Sequence, residues 1–433
     1  MKRYLFNLLA SASLLFVPMT SFAADSGGDK LTTLAHYIQY GLSNSAELKS
    51  AFDAYRAATY VSPQVSALPD PKLNYGYFIR SVETQVGPQK QKIGIAQSFP
   101  WFGTLALRED QANSEASAEL NRFLALKNKL VFEISKAYIE LVYIDAAISV
   151  TKDTIQLVQS WENVFQERFR TSTGSHSDLV RIQLEMGKLE DKLLELKDLR
   201  TPLSASLNSL INREVEQLIV VEADFLSSAS QRELESISME NLRSGNPELS
   251  MLEAMIKAKK SGIRLAEQKF YPDFTLGVDY IATGDRDVAD GGKDAVLGMA
   301  SINIPLNWEK NHAAVNEAKA RQKSFKQMKK AREFQLRSEL SRAKYQLRDS
   351  ERKVSLYKNT LIPKTQESIE ASYTAYQAGD AGFLDLIDSE QRLLDFQLSV
   401  KRAQADRATA ATKLQQLAGS FSELTAAEKE NSK

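Results

Sequence analysis

Matching residues 205 positions apart constrain this chain more than any other feature. Gly174 in "TSTGSHSDLVRIQLE" (171–185) pairs with Gly379 in "YQAGDAGFLDLIDSE" (376–390), and the same offset pairs Leu179 with Leu384, Ile182 with Ile387 and Glu185 with Glu390. Pro100 in "QSFPWFG" meets Pro305 in "INIPLNW" at that offset as well. Loop features that hold register over so long a span mark two copies of one unit. We divide the chain into a leader at 1–23, a first repeat at 24–220 and a second at 221–433.

The leader is read from "MKRYLFNLLASASLLFVPMTSFAADS", which has a basic start at Lys2 and Arg3, an apolar run and a small-x-small ending at Ser21-Phe22-Ala23. That pattern predicts a secretory signal cut after Ala23. Asn7, Ser11, Ser13 and Pro18 interrupt the run, which argues against a membrane span. Removing Lys2 and Arg3 leaves 53 basic residues against 55 acidic ones, a balance unsuited to electrostatic capture of nucleic acid. The chain has 0 cysteines, so disulfides and thiolate metal sites are excluded and an exported protein must hold together by packing or assembly.

Each repeat opens on a helix, "NSAELKSAFDAYRAA" from Asn44 and "NPELSMLEAMIKAKKSGIRLAEQ" from Asn246, with Asn246 suited to an N-cap and Pro247 to the first helical position. Prolines should end them: Pro63, Pro69 and Pro71 in the first repeat, Pro272 in the second. Four segments then alternate with period two, at 72–80, 92–99, 273–282 and 295–304, and read as strands paired through loops near 81–91 and 283–294. Long helices are expected over 104–170 and 309–377, the second bent at Pro363. At about 1.5 Å per residue each is on the order of 100 Å. Glycine turns follow at about 171–178 and 376–383. Leu179, Ile182, Met186, Leu189, Leu193, Leu196, Leu203, Leu207 and Leu210 then step by 3 and 4 as a coiled-coil seam, omitted once at Arg200, with Pro202 expected to kink or break the helix. The second seam is poorer: Leu384, Ile387, Leu394 and Leu398, drifting toward Ala403, Ala410 and Leu417.

The fold class is therefore mainly α with a small β part: a rod of long helices with a sheet at one end and turns at the other. Four strands cannot close a barrel, since the smallest membrane-spanning barrels use about eight and unpaired edges cannot face lipid. Several chains contributing four strands each would remove the edges. Gly94, Ala96, Gly298 and Ala300 are placed for close approach or curvature. Tyr75, Tyr77, Phe99, Trp101, Phe102, Tyr280 and Trp308 cluster as an interfacial girdle would.

The duplicated junctions "NPEL…YPDFTLG" and "PDPKL…IAQSFPWFG", with the Y-x-x-G-x-x-x-x-L-D-x-x-D turn from Tyr376 to Asp388, resemble the TolC family of outer-membrane efflux factors over nearly the whole mature chain. The resemblance implies a homotrimer with a twelve-stranded barrel in outer-membrane lipid and a helical tunnel across the periplasm. It also implies an exit duct of a tripartite efflux or type I secretion system, with a periplasmic adaptor (membrane fusion) protein and an inner-membrane pump, of RND type, as partners. Asp385 and Asp388 match the acids that close the periplasmic aperture in that family, and Tyr376 matches its latch tyrosine. Gly174, Ser175, Leu179, Gly379, Asp380 and Leu384 become the turns where an adaptor docks; Pro69, Pro100, Pro272 and Pro305 become the helix–strand junctions. Spacing of three residues puts Asp385 and Asp388 on one helical face, so a threefold axis would gather six carboxylates, which attract cations and repel anions.

Two positions depart from the family pattern. The usual latch arginine is Ala381 and the facing acid is Val180, with Arg181 as a substitute cation, so this tip should close differently or less firmly. The "QSFPWFG" junction leans toward the heavy-metal branch of the family, the CusC/CzcC type, while the cargo stays open among metal ions, drugs and polypeptides. No cofactor or resident metal is expected. The enzyme reading fares badly, because His36, His176 and His312 have no ligand or triad spacing. The serious alternative is a soluble periplasmic coiled-coil adaptor or scaffold whose strands form a small sheet domain.

Overall fold

The computed structural model describes residues 31–171, 175–228, 234, 236–378 and 383–422. The leader, Gly174, Gly379, Asp380 and Ala381 lie outside them. The chain enters through three short helices, α1 (Leu34–Asn44), α2 (Ala46–Thr59) and α3 (Val61–Ser66). The N-cap of α2 is Ser45, whose hydroxyl accepts from Leu48 N at 3.2 Å, and Asn44 instead ends α1. Both residue types cap well, so the sequence alone does not choose between them. Pro63 sits in the first turn of α3, where its missing N–H costs nothing, so it opens a short helix and terminates none.

The strands β1 (Lys72–Thr84), β2 (Gly87–Phe99), β3 (Phe274–Thr283) and β4 (Ala295–Ile302) form one antiparallel sheet in the order β1-β2-β3-β4. The first connection is much tighter than the loop expected at 81–91. Strand pairing runs up to Thr84 and Gly87, the latter at φ 135°. The polar sequence there hid the strand from a hydrophobic-alternation reading, because its side chains face solvent on both sides. A register shift lies between the Tyr77 and Val82 pairs.

From the sheet the chain passes into α4 (Thr104–Arg170) and returns as α5 (His176–Leu210). Helix α5 continues through Pro202, so the expected break is absent. Two short helices, α6 (Phe225–Ser228) and α7 (Met239–Gly245), lead to α8 (Pro247–Gln268), which ends before Pro272. Asn246 caps α8, its Oδ1 accepting from Glu248 N at 3.0 Å and Leu249 N at 3.4 Å. After the sheet, α9 (Trp308–Leu356) widens into a π-helical turn at Tyr357–Leu361 and continues as α10 (Ile362–Ala378). The distortion lies just ahead of Pro363. A proline ring crowds the carbonyl four residues back and offers no N–H, and the widened turn, in which Ile362 N bonds Tyr357 O, accommodates it. The last long helix is α11 (Phe383–Ala418).

Four buried clusters line these helices among the described residues, the smallest being Ile144, Ala147 and Leu196 between α4 and α5. Tyr37, Ile134, Tyr138, Leu207, Ile211, Ile219 and Ala405 close one where α1, α4, α5 and α11 meet. Leu242, Leu249, Leu336, Leu340, Leu347 and Leu414 close a second between α7, α8, α9 and α11. Val158, Trp161, Phe165, Ile182, Leu189, Ile369, Tyr376, Phe383 and Leu386 close the third, at the turn end, from all four of α4, α5, α10 and α11. The predicted seam of α5 lies in these cores: Ile182, Leu189, Leu196 and Leu207 are buried, and Leu179, Met186 and Leu203 pack beside them.

Candidate functional site

At the tip, Tyr376 is 8% exposed and its ring lies 4.8 Å from Phe165 and 6.2 Å from Phe383. Its cation is Arg168 of α4, which sequence reading missed. The Arg168 guanidinium stands 4.9 Å from the ring centroid and donates to the Tyr376 carbonyl at 3.1 Å. Burial pushes the Tyr376 phenol up, and nearby Asp178 adds to this while Arg168 opposes it. Arg168 lies 208 residues from Tyr376 in sequence; α4 and α10 both run from the sheet to the tip, and only the fold sets their last turns side by side. Val180 and Arg181 are exposed on α5 within the protomer.

Asp385 and Asp388 both lie on the exposed side of α11, while Leu386 and Ile387 between them are buried in the tip core. Leu384 is exposed, and Leu179 is half-buried against the core. Ser175 caps α5, its Oγ accepting from Ser177 N at 3.2 Å.

At the other end the four prolines bracket the sheet. Gln97 Nε2 donates to the Pro69 carbonyl at 2.7 Å, and Trp101 N, next to Pro100, donates to Asp273 Oδ1 at 3.0 Å, next to Pro272. Trp101 stacks on Tyr271 at 4.9 Å and on Phe274 at 5.6 Å. Pro305 lies between β4 and α9. These contacts tie the base of the sheet to both helix junctions.

The sheet register separates two faces. Tyr75, Ile93, Tyr280 and Val296 align across the four strands, and Leu73, Ile95 and Val278 form the next rung; all are exposed in the protomer. The opposite face aligns Asn74, Gly94 and Asp279, with Ser98 and Thr275 hydroxyls 3.0 Å apart. Asp279 forms an ion pair with Lys92 and is 1% exposed. A Cβ on Gly94 would fall 1.8 Å from Asp279 Oδ1, so the glycine is there to admit that carboxylate. Gly298 has open space where its Cβ would stand, so close approach within the protomer does not account for it. Among the described residues no helix is long and apolar enough to cross a membrane. The protomer thus presents an exposed apolar sheet face opposite a more polar one, with β1 and β4 at the sheet edges, the pattern a membrane barrel requires.

These features define the class by fold: a mainly helical rod with a four-stranded antiparallel sheet at one end. Residues 239–420 match the family described as "Outer membrane efflux protein". The chain is 22% identical over 394 residues to "Outer membrane protein TolC" of Vibrio cholerae, covering 88% of each chain. It is 21% identical over 350 residues to "Cobalt-zinc-cadmium resistance protein CzcC" of Cupriavidus metallidurans, covering 74% of this chain and 81% of that one. To "Toxin and drug export protein A" of Aggregatibacter actinomycetemcomitans it is 18% identical over 211 residues, and that alignment spans only 46% of the relative.

Among solved structures, the outer membrane protein VceC of Vibrio cholerae superposes with a TM-score of 0.73 at 17% identity, over 89% of this chain and 96% of that one. CusC superposes with a TM-score of 0.74 at 16% identity, over 89% and 91%. At such identities the likeness is one of fold. The chain is similar to the TolC-like outer membrane efflux proteins, in family match over residues 239–420 and in fold over 89% of its length.

Proposed function

We propose that the protein is the exit duct of a tripartite efflux or secretion assembly: three copies close a twelve-stranded barrel, and their helices form the tunnel below it. The observation that carries this reading is the four-stranded sheet with two free edges and an exposed apolar face, set at the end of a 67-residue helix. Exposed Leu184, Leu194 and Leu199 on α5 support neighbouring copies along the tunnel as well. Energy comes from a partner pump of RND type through a periplasmic adaptor that meets the turns near Ser175, Leu179 and Leu384. The duct supplies a path and a gate.

In this reading Asp385 and Asp388 of three copies surround the periplasmic aperture, and Tyr376, held by Arg168, fixes the helix that carries them. The two repeats are the structural units, with the prolines at 69, 100, 272 and 305 as their helix–strand hinges. The test is single-channel conductance of the purified protein in a planar bilayer, with its mass in detergent measured on the same sample. Small, cation-selective conductance from a trimer supports the duct; a water-soluble monomer without conductance overturns it in favour of a periplasmic scaffold.

A further inference from the structure

Glu185 and Glu390 occupy the same position in the two repeats, and the fold carries both into the tip bundle, yet they are treated differently there. Glu185 is 6% exposed, and its Oε2 accepts from Gln391 Nε2 at 2.7 Å and Lys188 Nζ at 3.1 Å. Glu390 is 1% exposed, and among the described residues neither of its carboxyl oxygens has a hydrogen-bond partner. Its own helix flanks it with Ile387 and Leu393. The core around it draws Val158 and Trp161 from α4, Ile182 and Leu189 from α5, and Ile369 from α10. The titratable groups that α10 adds to this core are Tyr376 within it and Tyr373, stacked against Trp161, beside it. The charges that bear on Glu390 are Glu185 from α5 and Asp395 from its own helix, both negative, while Lys188 is tied to Glu185.

We propose that Glu390 is a proton-binding site of the tip bundle: it holds a proton at neutral pH, and releasing it places an uncompensated charge in the core beside Glu185 and loosens the four helices. A buried carboxylate with no donor and two acidic neighbours avoids its desolvation cost by staying neutral. Burial first, then Glu185 and Asp395, push the Glu390 carboxyl up to about 8. The site lies within one protomer and stands whether or not the pore reading holds.

Linkage fixes the sign. The unfolded chain releases this proton near 4.5 and the folded chain near 8, so the folded state binds more protons between those values. Stability is fully present below about 4.5, falls as pH rises toward about 8 and changes no further above it. The decisive experiment is infrared spectroscopy of the full chain in detergent. The protonated-carboxyl carbonyl band expected at pH 7 should be missing from Glu390→Gln and should vanish from the wild type above about pH 8. In Glu185→Gln it should persist to lower pH only, because that variant lowers the repulsion holding the proton on. Thermal midpoints should decline with pH in the wild type and decline less in Glu390→Gln, which keeps the shape of the side chain. Identical carbonyl bands in wild type and Glu390→Gln at pH 7 would overturn the proposal. So would magnesium or calcium restoring the wild-type midpoint at pH 9 and not that of Glu390→Gln, which would make the site a metal site.

Discussion

Arg200 grips Asp145 at two points, Nε to Oδ1 at 2.6 Å and Nη2 to Oδ2 at 3.1 Å, and its Nη2 also donates to the Ile219 carbonyl at 3.0 Å. This is the one position at which the α5 seam lacks an apolar residue. The guanidinium there joins α4, α5 and the stretch after α5. The hydrogen bond to Asp145 raises the Arg200 pKa, as a two-point pair should. Both side chains are partly exposed, so solvent screening trims the gain. Arg200→Ala is expected to cost about 1–2 kcal/mol, read as a lower thermal midpoint, with the loss shrinking little in high salt because the Ile219 contact goes too.

Asn246 is the point where the second repeat is fastened to the end of α11. Its Oδ1 caps α8, and its Nδ2 donates to the Leu417 carbonyl at 2.9 Å, with the residue 4% exposed. Asn246→Ala removes the cap and orphans a buried carbonyl, a loss of about 2–3 kcal/mol. Asn246→Asp restores the cap but faces the carbonyl with a second acceptor, so chemical denaturation should rank it between wild type and alanine.

Gly94 and Gly298 offer a matched pair of tests in the sheet. Gly94→Ala drives a methyl into the Asp279 carboxylate, and Asp279 is buried with Lys92 as its partner. About 1–3 kcal/mol of overpacking is expected. Heat-modifiable migration on gels should show assemblies that dissociate at lower temperature. Gly298→Ala meets open space and should migrate as the wild type does.

If Asp385 and Asp388 line the aperture, the double change Asp385→Asn and Asp388→Asn should weaken cation preference in planar bilayers several-fold without altering barrel stability. Unchanged selectivity would mean that these exposed carboxylates face away from the pore.

Arg168 holds Tyr376 by a ring contact and a hydrogen bond to its carbonyl, each worth about 1 kcal/mol at a partly exposed site. Arg168→Ala should therefore raise protease access to the tip turns more than it lowers the global midpoint. Arg181→Ala, exposed within the protomer, should leave tip access unchanged unless a neighbouring copy uses it.

By itself the sequence determined the long helices and where the four strands lie, but not how far β1 and β2 run toward their tight connection. Those follow from local periodicity and from proline and glycine placement, which act over a few residues: α4 begins at Thr104 and ends at Arg170, as its pattern requires. The sequence also singled out Tyr376 and the acids after it. Tertiary structure alone decided which residues meet. The continuation of α5 through Pro202 depends on packing along its length, and the choice of Arg168 as partner to Tyr376 depends on the ends of two helices, 208 residues apart in the chain, meeting at the tip. The unequal fates of Glu185 and Glu390 are the clearest case. Glu185 has Lys188 three residues along its own helix, but its second partner, Gln391, comes from α11 through the fold, while Glu390 receives neither, because a charge in a core is governed by the groups folded around it and not by its own identity.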